Sequence, residues 1–285
     1  MSLEIDEKGV RLYVGNVLDE LDELEPASVD VIVTSPPYWS LRDYGTEPQD
    51  YGDWTGQLGL EPTVDMYVRH VVDVFERCRR VLKDSGSLWV NIGDTYNGYK
   101  RGNTDDKHVD MVSDQHFTKR RQKGIPNRSL CMVPSRFAIA MTDKGWILHN
   151  EVIWHKPNAM PQSCRTRFNV DFEKILWFSK TPRYHFDQLK EPSVSHPGEE
   201  RIMRTTWSIP TVASGAEHVA KYPPVLVERP VKSCCPEGGL VLDPFAGAGS
   251  TLVYCAEHGY RAVGIELDPR CAEVVRDRLR HCQGE

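Results

Sequence analysis

The sequence is notable first for what it does not contain. No run of apolar residues is long enough to span a bilayer as a helix, which excludes a helical membrane protein. The opening Met1-Ser2-Leu3-Glu4-Ile5-Asp6-Glu7 is acidic and lacks the basic and apolar regions of a secretory signal, so the expected location is the cytoplasm. Among eight cysteines there is no Cys-x-x-Cys pair: Cys234 and Cys235 are adjacent and the rest are scattered. That speaks against a zinc site and a disulfide framework, and for reduced, mostly buried thiols. Internal repeats and low-complexity stretches are missing too. The net charge is −6, so any affinity for nucleic acid must come from a local basic face rather than from the whole surface.

What remains is an ordinary globular composition, 40% hydrophobic and 27% charged over 285 residues, enough for one large α/β domain or two small ones. The pattern predicts strands at Val10–Val14, Val29–Val33, Ser87–Ile92, Trp146–Trp154, Glu173–Phe178, Gly239–Asp243 and Tyr260–Ile265. Helices are expected over Val17–Leu24, Thr63–Leu82, Pro134–Lys144, Tyr222 to about Cys234, Leu252–His258 and Arg270–Arg280. Asp84-Ser85-Gly86 reads as the stop after the second of these helices.

Two stretches carry chemistry. The first is Thr34-Ser35-Pro36-Pro37-Tyr38, directly after the apolar strand Val29–Val33. Two prolines, each without an N–H and with a fixed φ, stop the strand and make a stiff corner at its C-terminal end. Ligands of open α/β sheets bind at that edge. The corner offers a hydroxyl, carbonyls and an aromatic ring, a set that suits an amino group on a flat ring; a tight Pro-Pro loop with a packed tyrosine is the competing reading. The aromatic and polar segment from Trp39 to Trp54 reads as a functional loop over the corner.

The second is Asp243-Pro244-Phe245-Ala246-Gly247-Ala248-Gly249-Ser250-Thr251, between a strand and a helix, followed by another strand that ends in Glu266, 19 positions after Gly247. Strand, Gly-x-Gly turn, helix, strand and acid form the nucleotide-binding unit in which the glycines admit the ligand and the acid takes a ribose hydroxyl pair. The turn holds no lysine, so it is no P-loop, and Leu252 stands where the third glycine of the dinucleotide fingerprint belongs. A pyrophosphate is therefore disfavoured, and a nucleoside carrying an amino acid, S-adenosyl-L-methionine, fits better.

Between Thr95 and Arg128 eight Lys or Arg face four Asp, with Tyr96, Tyr99 and Phe117 interspersed. This is either a basic loop that meets a phosphate backbone or a solvated insertion. The segment from His185 to Gly215 is polar and irregular, a candidate second specificity element.

Ser35-Pro36-Pro37-Tyr38 and the Asp243–Thr251 turn together resemble the two signature motifs of the DNA amino-methyltransferases, which methylate cytosine N4 or adenine N6. The corner precedes the turn, as in the permuted β group, and Trp89–Asp94, Trp154–Asn158, Phe178–Phe186 and His218–Pro223 are similar to further family blocks. The resemblance covers almost the whole chain. It implies a Rossmann-like, seven-stranded, circularly permuted α/β methyltransferase sheet in a single catalytic domain, with a DNA-contact loop at 95–130 and a target-recognition segment at 185–215.

It also implies roles. Ser35, Pro36, Pro37 and Tyr38 would be catalytic, with Ser35 Oγ and the Pro36 carbonyl accepting the amine hydrogens and Tyr38 stacking on a flipped base, aided by Trp39. The cofactor would lie among Ser35, Pro36, His218, Val219, Ala220, Lys221, Asp243, Pro244, Phe245, Ala246, Gly247, Gly249, Ser250, Thr251, Glu266 and Leu267. Asn16 would lie beside its adenine, although the family often has Asp there. Trp39, Arg42, Lys119, Arg120, Arg121, Lys123, Arg128 and Lys156 would meet DNA. Double-stranded DNA, a restriction endonuclease and a second copy of the chain are the partners that the resemblance implies. Ser rather than Asp at the head of the corner leans toward cytosine N4, with adenine N6 open. Cys235-Pro236 is present but Pro-Cys is not, which argues against carbon-5 methylation. A nucleotide-dependent oxidoreductase and a non-catalytic DNA-binding protein are the readings from other classes. The missing third glycine disfavours the first, and the intact corner and turn disfavour the second.

Overall fold

The computed structural model describes residues 2–98, 122–161, 166–212 and 222–282. The first half runs β1 (Leu3–Glu7), β2 (Val10–Val14), α1 (Val17–Glu23), β3 (Val29–Thr34), β4 (Gln49–Asp50), β5 (Thr55–Gly56), α2 (Val64–Val81), β6 (Leu82–Ile92) and α3 (Val133–Asp143). It continues with β7 (Ile147–His155), β8 (Phe172–Ser179), β9 (Lys190–Pro192), β10 (Glu200–Ile202), β11 (Thr206–Ser208), α4 (Val225–Cys234), β12 (Leu240–Asp243), α5 (Ser250–Glu257), β13 (Arg261–Glu266) and α6 (Pro269–His281).

Nine of the strands form one sheet in the order β1-β2-β13-β12-β3-β6-β8-β7-β11. The block from β2 to β6 is parallel, β8 is antiparallel to both its neighbours, and β1 and β11 extend the edges. The seven expected strands are the middle of this sheet. Both edge strands escaped the sequence pattern because each buries a single side chain, Ile5 in β1 and Trp207 in β11. β11 also places part of the polar 185–215 segment in the sheet, with Trp207 stacked 6.0 Å from Trp89.

Strand alternation divides the core between the two faces. Val29, Ile32, Leu88, Val90 and Ile92 point to the face covered by α1, α2 and α3. Val31, Val33, Trp89, Val241 and Ala262 point to the face covered by α4, α5 and α6. α2 starts at a Thr63 hydroxyl that accepts the Met66 N–H, and it buries the stripe from Val64 and Tyr67 to Cys78 and Val81. The helix passes straight into β6, so Asp84-Ser85-Gly86 lies inside a strand rather than in a stop. A side chain at Gly86 would come within 2.8 Å of the Asp30 carbonyl, and only glycine lets these backbones approach so closely.

The helix after the cofactor turn needs similar clearance. Leu252 replaces the glycine that would let α5 sit close to the sheet. Instead, Gly264 in β13 leaves the space: a Cβ there would fall 2.8 Å from Leu252 Cδ1, 3.0 Å from Ala246 Cβ and 3.1 Å from Leu12 Cδ1. The missing glycine of the turn has thus been compensated from the sheet side. Gly264→Ala is expected to destabilise the fold by about 1–3 kcal/mol through overpacking, read as a lower midpoint in urea unfolding.

Candidate active site

β3 and β12 are neighbours in the centre of the sheet although they lie near opposite ends of the chain. Their C-terminal ends are joined by side chains: buried Thr34 donates its hydroxyl to Asp243 Oδ1 at 2.7 Å. Asp243 is fully buried and accepts three further hydrogens, from Thr251 Oγ1 at 2.6 Å, Tyr222 OH at 3.1 Å and the Phe245 N–H at 3.1 Å. The Tyr222 and Thr251 hydroxyls also touch each other. Burial pushes the Asp243 carboxyl above its ordinary value, and the hydroxyl donors pull the other way.

The turn after β12 holds Gly247 and Gly249 at φ of +50° and +74°, the left-handed region that glycine tolerates. A Cβ on Gly249 would strike Val275 at 2.7 Å, so this glycine lets α6 pack on the turn. In front of Gly247 the space is open, with nothing within 4 Å of where a Cβ would lie. Pro244, Ala246 and Ser250 are buried and support the turn from below, while Phe245 and Leu267 are half-buried. Glu266 stands opposite, with Oε2 accepting the Gly247 N–H at 2.7 Å and Oε1 the Asp268 N–H at 2.9 Å. Burial raises its carboxyl, and these backbone donors oppose the shift. Its own carbonyl accepts the Gly15 N–H at 3.0 Å, bringing the end of β2 to the same rim. Asn16 follows at this rim, and its side-chain carbonyl also caps α1 by accepting the Leu18 N–H at 2.9 Å.

At the corner itself the tyrosine is fixed from several sides. Its ring lies against Gly93, where a Cβ would be 2.6 Å from the ring carbons. Its hydroxyl donates to Glu173 Oε2 at 2.8 Å, and accepts from Asn91 Nδ2 at 2.9 Å and from Ser35 Oγ at 3.3 Å. Asn91 also reaches Glu173 Oε2 at 3.0 Å, and Lys156 closes on Glu173 Oε1. Burial and the adjacent Glu173 carboxylate push the Tyr38 phenol well above its ordinary value, so it remains a neutral donor. The outer side of the corner is braced. Tyr67 OH donates to the Pro37 carbonyl at 2.8 Å and the Ser40 N–H to Gly59 at 2.7 Å. His70, buried between Glu61 (3.1 Å) and Asp53 (2.8 Å), holds the 53–61 segment in place.

One expected DNA contact is corrected. Trp39 is 4% exposed and donates its indole N–H to the Glu61 carbonyl at 3.1 Å, so it belongs to the core beneath the corner. Lys156 does not stand free on the surface: it is paired with Glu173 and lies 4.2 Å over the Trp154 ring. Arg42, Lys123 and Arg128 are exposed. Lys119, Arg120 and Arg121, like His218, Val219, Ala220 and Lys221, lie outside the described residues. Sequence reasoning missed Asn91, Glu173 and Tyr222 as parts of the site. The first two sit at strand ends on the same sheet edge as the corner, the signal by which they could have been found.

A mixed, mostly parallel sheet with a Gly-x-Gly turn and acid on one strand pair and a Pro-Pro-Tyr corner on the next defines a nucleoside-cofactor α/β methyltransferase. The chain belongs to the DNA methylase family, whose model matches residues 29–277. It is 35% identical to the type II methyltransferase M.SmaI of Serratia marcescens over 97% of this chain and 93% of that one. It is 34% identical to M.Cfr9I of Citrobacter freundii over 97% and 89%. Among solved structures it superposes on the PvuII DNA methyltransferase, described as cytosine-N4-specific, with a TM-score of 0.68, 22% identity and coverage of 94% and 86%. It superposes on the M1.HpyAVI–SAM complex at 0.60 with 17% identity, covering 95% and 98%. S-adenosyl-L-methionine is the cofactor of the family, and the open face of Gly247, the fixed Glu266 and the buried Asp243 fit it.

Because burial raises Asp243 and Glu266, the folded chain retains protons that the unfolded chain has released just above the ordinary carboxylate range. The contribution of these groups to stability therefore declines as pH rises through that interval. Asp243→Asn removes one of them and is expected to flatten that decline in denaturant titrations run at several pH values. Asp243→Ala leaves its donors without an acceptor and is expected to destabilise by roughly 3 kcal/mol or more.

Proposed function

We propose that this chain moves the methyl group of S-adenosylmethionine to the exocyclic amine of a base flipped out of double-stranded DNA, namely N4 of cytosine. The observation that carries this reading is the Thr34–Asp243 bond at 2.7 Å. It fixes the corner, which would hold the amine, beside the turn that would hold the methyl donor. Bound S-adenosylmethionine supplies an electrophilic methyl group. The residues of the chain do the rest by placement.

Ser35 Oγ and the Pro36 carbonyl accept the two amine hydrogens and draw the conjugated nitrogen toward a tetrahedral form with an available lone pair. Tyr38, its ring backed by Gly93, stacks on the base. Glu266 takes the ribose hydroxyls, and the Gly247 backbone lets the cofactor approach. Arg42, Lys123 and Arg128 supply positive charge for the phosphate backbone. Ser35 at the head of the corner favours cytosine, and the fold's likeness to an enzyme described as cytosine-N4-specific agrees. The type II methyltransferases among its relatives support a restriction endonuclease as companion.

The test is incubation with S-adenosylmethionine and unmethylated DNA, followed by digestion to nucleosides and mass spectrometry. N4-methylcytosine is expected; N6-methyladenine would overturn the base assignment, and cofactor binding without any methylated base would favour a silent DNA binder. Ser35→Ala is expected to slow turnover on the order of 10²-fold with cofactor affinity little changed. Equal losses in both would remove Ser35 from the chemistry.

A further inference from the structure

A serine hydroxyl can accept a hydrogen from the target amine only if its own hydrogen points elsewhere. The structure shows where it goes. Ser35 Oγ donates to Tyr38 OH at 3.3 Å, and Tyr38 OH donates to Glu173 Oε2 at 2.8 Å. Glu173 lies on β8, far from the corner in sequence, and it accepts from every side. Asn91 reaches the same oxygen at 3.0 Å and Lys156 the other one. An ionised carboxylate has no hydrogen to return, so the chain of hydrogen bonds runs one way.

We infer that Glu173 is a positioning residue for the methyl transfer, the terminal acceptor that orients Ser35 Oγ toward the amine and takes up the proton released there. This rests on the function proposed above. After transfer the methylated nitrogen carries one hydrogen too many. Its N–H bond breaks as an O–H bond forms on Ser35. The original serine hydrogen passes to Tyr38, and the tyrosine hydrogen passes to Glu173, which becomes a neutral acid. The Glu173 side chain is 20% exposed, so the proton can leave to water. Lys156 and Asn91 hold the carboxylate in place. Lys174, the next residue, is engaged with Glu151 at 3.0 Å and leaves this carboxylate to the network.

Glu173→Gln tests the orientation. The glutamine oxygen is drawn to the Lys156 ammonium, which turns its NH₂ toward Tyr38. That group donates to the tyrosine oxygen, sends the tyrosine hydrogen back to Ser35 and occupies the serine lone pair. The expected result is a single-turnover rate lower on the order of 10²-fold, with cofactor affinity, DNA affinity and melting temperature close to wild type. Tyr38→Phe keeps the ring and removes the link. In that background Glu173→Gln is expected to have no further effect on rate. Equal penalties in both backgrounds would mean that Glu173 acts without the chain of hydroxyls, and would overturn the inference. A Glu173→Gln variant that transfers as fast as wild type would overturn it too and leave the proposed function standing. A wild-type chain that methylates no DNA would remove both.

Discussion

Two carboxylates stitch β3 to β12, and the rest of the site hangs on that seam. The strands share a short stretch of ladder, pairing Val31 with Val241 and Ile32 with Leu242. At one end Asp30 of β3 accepts the Leu240 N–H at 2.9 Å, with Lys83 at 2.8 Å as counter-ion. At the other end Asp243 of β12 accepts the Thr34 hydroxyl. A buried carboxylate is tolerable only with its lone pairs filled, and Asp243 fills them with donors from β3, from the turn and α5 that follow it, and from Tyr222 ahead of α4. Each donor belongs to a different wall of the site. The requirement to satisfy one buried carboxyl group therefore brings those walls to a common point.

The same economy governs the corner. An amine conjugated to its ring becomes reactive only when held in one geometry, and a loose acceptor would simply follow it. Pro36 and Pro37 limit the backbone, and Tyr67 and the Gly59 carbonyl hold it from outside. Gly93 lets the Tyr38 ring pack closely against the end of β6. The brace reaches further through Glu61 and His70 into α2, so a core helix rather than a loop sets the position of the corner.

The two motifs were legible in the sequence because each is local: a strand, its terminating residues and the turn that follows lie within about a dozen positions of one another. The alternation and spacing of β3, α2, β12 and β13 carry their own burial pattern. Glu173 and Asn91 stand at the ends of strands that the pattern did announce, but their meeting with Tyr38 is a matter of pairing: it depends on β8 running antiparallel between β6 and β7, which no residue in 172–179 announces. Trp39 misled for the opposite reason. An aromatic beside a binding tyrosine looks like a second stacking ring, but the polypeptide returning through Gly59 and Glu61 covers it.

The identity of the first corner residue also decides what else the site must contain. A carboxylate there would present lone pairs and no hydrogen, and could face an amine unaided. A serine is neutral, which avoids a second negative charge near the buried Asp243, but its hydrogen competes for the very direction in which the oxygen must accept. The hydroxyl works as an acceptor only when another group draws that hydrogen away and nothing pushes one back. Tyr38 alone could not ensure this, since a phenol donates as readily as it accepts. A charged group beyond it breaks the symmetry, and Glu173, clamped by Asn91 and Lys156, occupies that place. Placing the negative charge on β8, with β6 between it and the corner's strand, keeps the acceptor chemistry while holding the charge at the edge of solvent, where its solvation is cheaper.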